Sequence, residues 1–297
     1  MFINRAACSR AIAPAVARAE QPHVTLGFVA GLVLLVALTA ASAAPRAELW
    51  KRWAAHAPDS SATVDHSAWN RFVASYVVLD PGGISRLPYA AVTSEDRAAL
   101  DDYLRRLSAV RISEHRRDEQ FAFWVNLYNA LTVQVTLEHY PVASIRDIRI
   151  SPGLFSSGPW GKKLIGVEGE ALSLDDIEHR ILRPIWRDPR IHYAVNCASL
   201  GCPNLMNEAF TARNTSTLLD RGARAYVNHV RGARVDEGRL VVSSIYEWFK
   251  DDFGGSDRAV IEHLRSYADP RLAQDLMAVD RISDDNYDWS LNDVRGD

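Results

Sequence analysis

From Val24 to Ala40 the chain is almost wholly apolar, with Arg5, Arg10 and Arg18 before it and Ala41-Ser42-Ala43 after it. A basic start, an apolar stretch and a small-x-small site predict a secretory signal cut after Ala43. The competing reading is an uncleaved membrane anchor, because the run is nearly long enough to span a bilayer. Beyond it the pattern becomes that of a folded chain. Trp50 and Trp53 predict a short first helix, followed by a polar connection over Ala54–Ala62. Trp69, Phe72, Val73 and Tyr76 recur at helical spacing within Asp65–Val78, and Pro81-Gly82-Gly83 stops that helix. Ser94 is read as the cap of a helix through Leu100–Leu107. The longest element, Glu119–His139, is apolar on every side, which predicts a helix buried all round. Its two amides, Asn126 and Asn129, sit three apart and share a face. Buried without partners they would cost about 1–3 kcal/mol each, so something polar must meet them.

After a Gly- and Pro-bearing stretch, Ser151–Gly169, the segment Ser173–Leu182 reads as a helix with Ser173 as cap and Asp175 and Asp176 in its first turn. Arg190–Asn196 alternates and is read as a strand. Thr215–Val230 reads as a helix, Asp236-Glu237-Gly238 as the turn of a hairpin into Leu240–Ser243, and Ile245–Phe249 and Arg258–Tyr267 as helices. With no repeat and no linker, residues 44–297 are expected to form a single domain of helix-rich α+β class. In it the long buried central helix packs on a small sheet containing Arg190–Asn196.

The seven ordered stretches Phe121–Val133, His139–Ile148, Pro159–Lys163, Leu172–Arg183, Asp188–Leu205, Ser243–Phe253 and Tyr287–Asn292 together resemble the domain-of-unknown-function 547 family. The asparagine-bearing helix and the segment NCASLGCP are their specific parts. The resemblance spans roughly residues 65–292 and implies little about activity, because the family is named for its missing biochemistry. Such families have members among exported bacterial proteins and inside eukaryotic cells.

Composition narrows the function classes. The 297 residues carry 34 Lys+Arg against 37 Asp+Glu, a net charge of -3, so no basic excess points to nucleic acid. Lys162-Lys163 is a small exposed pair. Signal removal takes Cys8 with it and leaves two cysteines, Cys197 and Cys202, in an oxidising compartment, the periplasm or cell envelope.

Three readings compete for these cysteines. In the first they form a disulfide across a short loop, a staple of roughly 2 kcal/mol on chain-entropy grounds. In the second Cys197 is a nucleophile and needs a base within hydrogen-bond reach. His192 would have to swing round from the opposite face of its strand, across about 16 Å of extended chain, or His179 would have to arrive through the fold. In the third the pair and histidines hold zinc, for which C-x4-C is wide and no second pair exists. Two buried reduced thiols are the remaining case.

Around these cysteines, Glu178 and His179 are neighbours on different helix faces and read as solvated or capping, unless one points into the cysteine loop. Asp251 and Asp252 are acceptors of the kind that orient an Arg or His, but read first as a surface pair. Ser199 lacks the Gly-x-Ser-x-Gly elbow, the Gly-rich 153–169 stretch lacks a phosphate-loop Lys-Ser/Thr, and Trp160 is placed to line a cleft. The leading expectation is a thiol-dependent hydrolase or transferase with Cys197, His192, Asn126 and Asn129 in a papain- or transglutaminase-like arrangement, an analogy at fold level. The alternative is a non-catalytic envelope binding or scaffold protein held by a Cys197–Cys202 disulfide. Neither needs a cofactor or a metal. The expected partner is an envelope protein or peptide, with membrane contact only through an uncleaved N-terminal segment.

Overall fold

The computed structural model describes residues 45–153 and 156–294. The predicted signal or anchor lies outside the described residues. Among these residues no helix is long and apolar enough to cross a membrane. Helices α1 (Ser67–Tyr76), α2 (Ser94–Ser108) and α3 (Arg117–His139) come first, with the two-residue strands β1 (Val78–Leu79) and β2 (Ser85–Arg86) between α1 and α2. The hairpin β3 (Ile165–Val167) and β4 (Glu170–Leu172) follows. A π-helix over Asp176–Leu182 then runs into α4 (Arg183–Trp186). The C-terminal half holds α5 (Thr215–Val227), strands β5 (Ala233–Asp236) and β6 (Arg239–Ser243), α6 (Ser244–Trp248), α7 (Asp257–Tyr267), α8 (Pro270–Asp275) and β7 (Ile282–Asn286). The protein is a helix-rich α+β domain with small sheets, as the pattern predicts.

Burial explains why α3 is apolar on all sides. From Glu119 to Val133 every residue is buried, and α2, the π-helix and α5 pack around it. Its buried carboxylate, amide and threonine side chains are engaged. Gln120 donates to Ala55 O and Ile112 O, Glu119 accepts from Val64 N–H, and the Thr132 and Thr136 hydroxyls bond back to carbonyls one turn earlier. A second apolar cluster joins α5, α6 and α7 to β5 and β6. There β6 pairs antiparallel with β5 and parallel with β7. The β5–β6 turn places Glu237 and Gly238 at φ 49° and 75°, the left-handed pair that a two-residue hairpin favours.

Four expectations need correction. Arg190–Asn196 is not a strand: Pro189–Tyr193 is a 3-10 helix, so the long helix does not rest on a sheet containing that segment. Asp188 caps that turn, accepting from Arg190 N–H at 2.9 Å, and Pro189 occupies the first helical position. Asp-Pro is a helix-start signal that outweighs the alternation following it. Thr93, not Ser94, caps α2, its side chain accepting from Asp96 N–H. Ser173–Leu182 is helical but mostly of π type. The Trp50/Trp53 segment is a single 3-10 turn, Lys51–Ala54.

Candidate functional site

Asn129 fixes the chain as it leaves the 3-10 turn. Its Nδ2 donates to Ala194 O at 2.9 Å and its Oδ1 accepts Asn196 N–H at 2.8 Å, so one buried carboxamide replaces the partners a strand ladder would have supplied. Asn196 then folds the bend, accepting Ala198 N–H at 2.9 Å and donating to Pro203 O at 2.7 Å. Ala198 takes φ 57°. The tail lies across the bend, with Leu200 N–H bonded to Ser290 O and Gly201 N–H to Asp288 O at 2.7 Å. A Cβ on Gly201 would stand 2.8 Å from Asp288 N, so only glycine permits this approach. Tyr226 and Arg231 anchor the carbonyls of Gly201 and Leu200.

The bend brings the two sulfurs to 2.7 Å. Cys197 N–H donates to Cys202 Sγ at 2.9 Å. Cys197 Sγ also meets Ser199 Oγ at 3.2 Å and Tyr287 OH at 3.0 Å. Among the described residues no histidine nitrogen hydrogen-bonds either sulfur. Burial, followed by the neighbouring Cys202, pushes the Cys197 thiol well up. Burial acts to raise Cys202 as well. Hydrogen bonds from Cys197 and Tyr287, the Cys197 amide and the Arg231 guanidinium outweigh it and bring the Cys202 thiol down. Cys202 is therefore the readier thiolate, although it is buried, and half-buried Cys197 holds its proton.

Asn126 serves a different loop. It clamps Phe210, donating to its carbonyl at 2.8 Å and accepting its N–H at 3.0 Å. Neither carboxamide orients His192. That ring stacks on Phe249 with centroids 4.3 Å apart, and its Nε2 meets Asp252 Oδ2 at 2.7 Å. Arg183 Nε donates to the same oxygen at 2.5 Å. Burial acts to raise Asp252, but these two partners hold its carboxyl down at about 2. The structure thus brings Asn129, Asn196, Cys197 and Cys202 together, and places His192 and Asn126 with other partners.

Of this cluster, Arg183 is the residue that sequence reasoning passed over, while Asp252 and Glu178 read first as surface and solvated groups. Asp251 and Asp252 are not a matched surface pair, because Asp252 belongs to the His192 cluster. Glu178 and His179 are both buried, since the π-helix packs beneath α3 and beside Phe249. His179 Nδ1 accepts from Arg183 at 3.0 Å, and burial, with the Arg183 and His192 charges, lowers its pKa to about 4. Two N–H groups of the extended stretch before the first turn, those of Glu48 and Trp50, bond the carbonyls of His179 and Arg180. Unexplained π-turns are frequent at working sites. Outside this cluster, four half-buried rings, Trp160, Trp248, Tyr287 and Trp289, form a contiguous aromatic group beside the cysteine bend, with Arg146 over Trp289. No group of three or more His, Cys, Asp or Glu side chains among the described residues is arranged to hold a metal ion.

No curated protein and no solved structure matches the chain. One family model matches residues 112–227, a span holding α3, the π-helix, the His192 turn and the cysteine bend. The family is described as protein of unknown function, DUF547, and the match supports the chain as one of its members.

Proposed function

We propose that the protein is exported to the periplasm or cell envelope, with residues 1–43 as its signal, and acts there as a binding or scaffold protein stapled by a Cys197–Cys202 disulfide. The observation that carries this reading is the company Cys197 keeps: a second sulfur at 2.7 Å, with Ser199 and Tyr287 as its other partners. A thiol-dependent hydrolase needs a base on its nucleophile and a lowered thiol pKa. Here the more accessible thiol is the raised one, and the imidazole of His192 is committed to Asp252.

The same pattern suits oxidation. A disulfide-bearing envelope oxidant is attacked by Cys197 as it loses its proton, which gives a mixed disulfide and one thiol of the oxidant. The Cys202 thiolate then attacks the Cys197 sulfur and releases the oxidant's second thiol. The pair gives up two electrons and two protons in all, and the oxidant takes them. The partner is an envelope protein or peptide, and the aromatic group beside the bend offers it rigid contact area of the kind enriched at interfaces.

The test compares wild type with Cys197→Ser, Cys202→Ser and the double variant in urea unfolding, with and without reductant. The reading requires reductant to lower the wild-type midpoint and to leave all three variants unmoved. A wild type indifferent to reductant, with iodoacetamide labelling Cys197 rapidly under native conditions, would restore the thiol-enzyme reading.

A further inference from the structure

A cleft of about 370 Å³ opens beside Asp252, and neither cysteine lines it. That size suits a small ligand. Ala47 and Leu49 of the extended N-terminal stretch, with Pro184 of α4, form its apolar wall. Two guanidinium groups line it as well. Arg183 and Arg187 stand four apart, with Arg187 N–H bonded to Arg183 O at 3.0 Å, so both project to one side of α4. Arg183 is held rigidly. Its side chain is 5% exposed and lies over the Phe249 ring, with Nε on Asp252 and Nη1 on Pro45 O and His179. Its Nη2 makes no hydrogen bond among the described residues and keeps access to the cleft.

The cleft also carries three carboxylates, Asp188, Asp251 and Asp252. Asp252 compensates Arg183, and Asp188 is taken by Arg190 through both oxygens. One charge of each sign is left over. Arg187 makes a single hydrogen bond, from Nε to Pro184 O at 3.4 Å, and no hydrogen bond or ion pair reaches the Asp251 carboxylate among the described residues. No ion pair joins the two across the cleft. Both contacts of Asp252 fall on Oδ2, so its Oδ1 remains an open acceptor. The cleft thus offers donors from Arg187 and Arg183 Nη2, and acceptors from Asp251 and Asp252 Oδ1. A ligand with one charge only would answer one set and leave the other unmatched.

We propose that this cleft binds a free α-amino acid as its zwitterion. The carboxylate is received by Arg187 and Arg183 Nη2, the ammonium by Asp251 and Asp252 Oδ1, and the side chain by the wall of Ala47, Leu49 and Pro184. Guanidinium forks match a carboxylate, and an ammonium brings three N–H donors and no acceptor. An amino acid supplies both charges across one carbon and adds no net charge to the site. The inference rests on the binding-protein reading and names a small-molecule ligand for it. It uses none of the cysteine chemistry, so its failure leaves the oxidation state of the bend untouched.

The test is calorimetric titration of the protein, as isolated from the cells that make it, at neutral pH and low ionic strength. Glycine and L-valine are compared with isobutylamine and isovalerate, which are valine without its carboxylate and without its ammonium, and with glycylvaline. The expected result is saturable binding of L-valine, with each of its halves weaker by about tenfold or more. Arg187→Met and Asp251→Asn should each weaken L-valine binding by about tenfold or more. Both side chains are exposed, so the urea midpoints of the two variants should match that of wild type. Isobutylamine or isovalerate binding as tightly as L-valine would overturn the zwitterion site, and glycylvaline binding more tightly would replace the amino acid with a peptide. An absence of saturable heat with both glycine and L-valine would also overturn the proposal. The wild-type comparison decides the matter even if a variant does not fold.

Discussion

The Asn129 carboxamide oxygen accepts the backbone N–H of Asn196 at 2.8 Å, one residue before Cys197, while its nitrogen holds Ala194 O. A side chain on the most buried helix thus sets the course of the chain into the bend. Asn129→Ala would leave two buried backbone groups without partners. At about 1–3 kcal/mol each, the expected loss is roughly 2–6 kcal/mol in urea unfolding. Asn126→Ala should cost a similar amount, since it exposes both polar groups of Phe210, but should not alter the reactivity of the cysteines. Thiol labelling of the two variants, compared at equal fractions folded, checks the distinction.

Gly201 is the second fixed point of the bend. A methyl there would meet Asp288 N at 2.8 Å and Asp288 O at 2.9 Å, so Gly201→Ala must push the tail away. Overpacking of this kind typically costs about 1–3 kcal/mol. The tail, once displaced, should become the first site cut in limited proteolysis. A variant with wild-type stability and an uncut tail would show that the tail does not lean on the bend.

Acid should act in two stages. His66, His179 and His263 are held neutral in the fold, each lowered to about 4 chiefly by burial, whereas the unfolded chain takes up these protons near 6.5. Stability is therefore lost as pH falls from 6.5 towards 4, at up to about 1.4 kcal/mol per pH unit for each histidine. Asp252 acts lower down. Its folded carboxyl sits at about 2, below the ordinary value of 3.8, so the stability it contributes is complete above that value and disappears as pH falls through about 2. Urea midpoints measured in steps from pH 7 to pH 2 should decline throughout, and a flat profile between 7 and 4 would contradict the buried neutral rings.

Asp252→Asn isolates the pairing itself. It removes the carboxylate that both His192 and Arg183 contact, leaving a guanidinium whose side chain is 5% exposed without its counter-charge. Breaking a buried pair on one side costs about 3–5 kcal/mol. The double variant Asp252→Asn with Arg183→Met should recover part of that loss, which a double-mutant cycle measures.

Several of these relationships were legible in the chain. The apolar periodicity located α1, α3, α5 and α7, and Asp236-Glu237-Gly238 marked the β5–β6 turn. The expectation that buried Asn126 and Asn129 must find polar partners was sound in kind, but the partners are backbone groups of Phe210, Ala194 and Asn196 rather than an imidazole. Arg190–Asn196 reads as a strand because alternation over few residues does not distinguish a strand from a 3-10 turn; the Asp188-Pro189 start signal marks the turn that forms. Which Arg and His Asp252 would meet is not legible, because its partners, Arg183 and His192, lie 69 and 60 positions away. Periodicity carries no trace of such pairings, nor of the π-turn that brings Glu178 and His179 inside together.

The state of Cys197 and Cys202 in protein freshly isolated from the cells that make it decides whether the staple exists. Acid trapping and alkylation before intact mass measurement reads that state directly. A single disulfide is expected: a mass lower by two hydrogens than that of the reduced chain, and no alkyl group added until reductant is supplied. Two alkylated cysteines in freshly trapped, unreduced protein would contradict the staple.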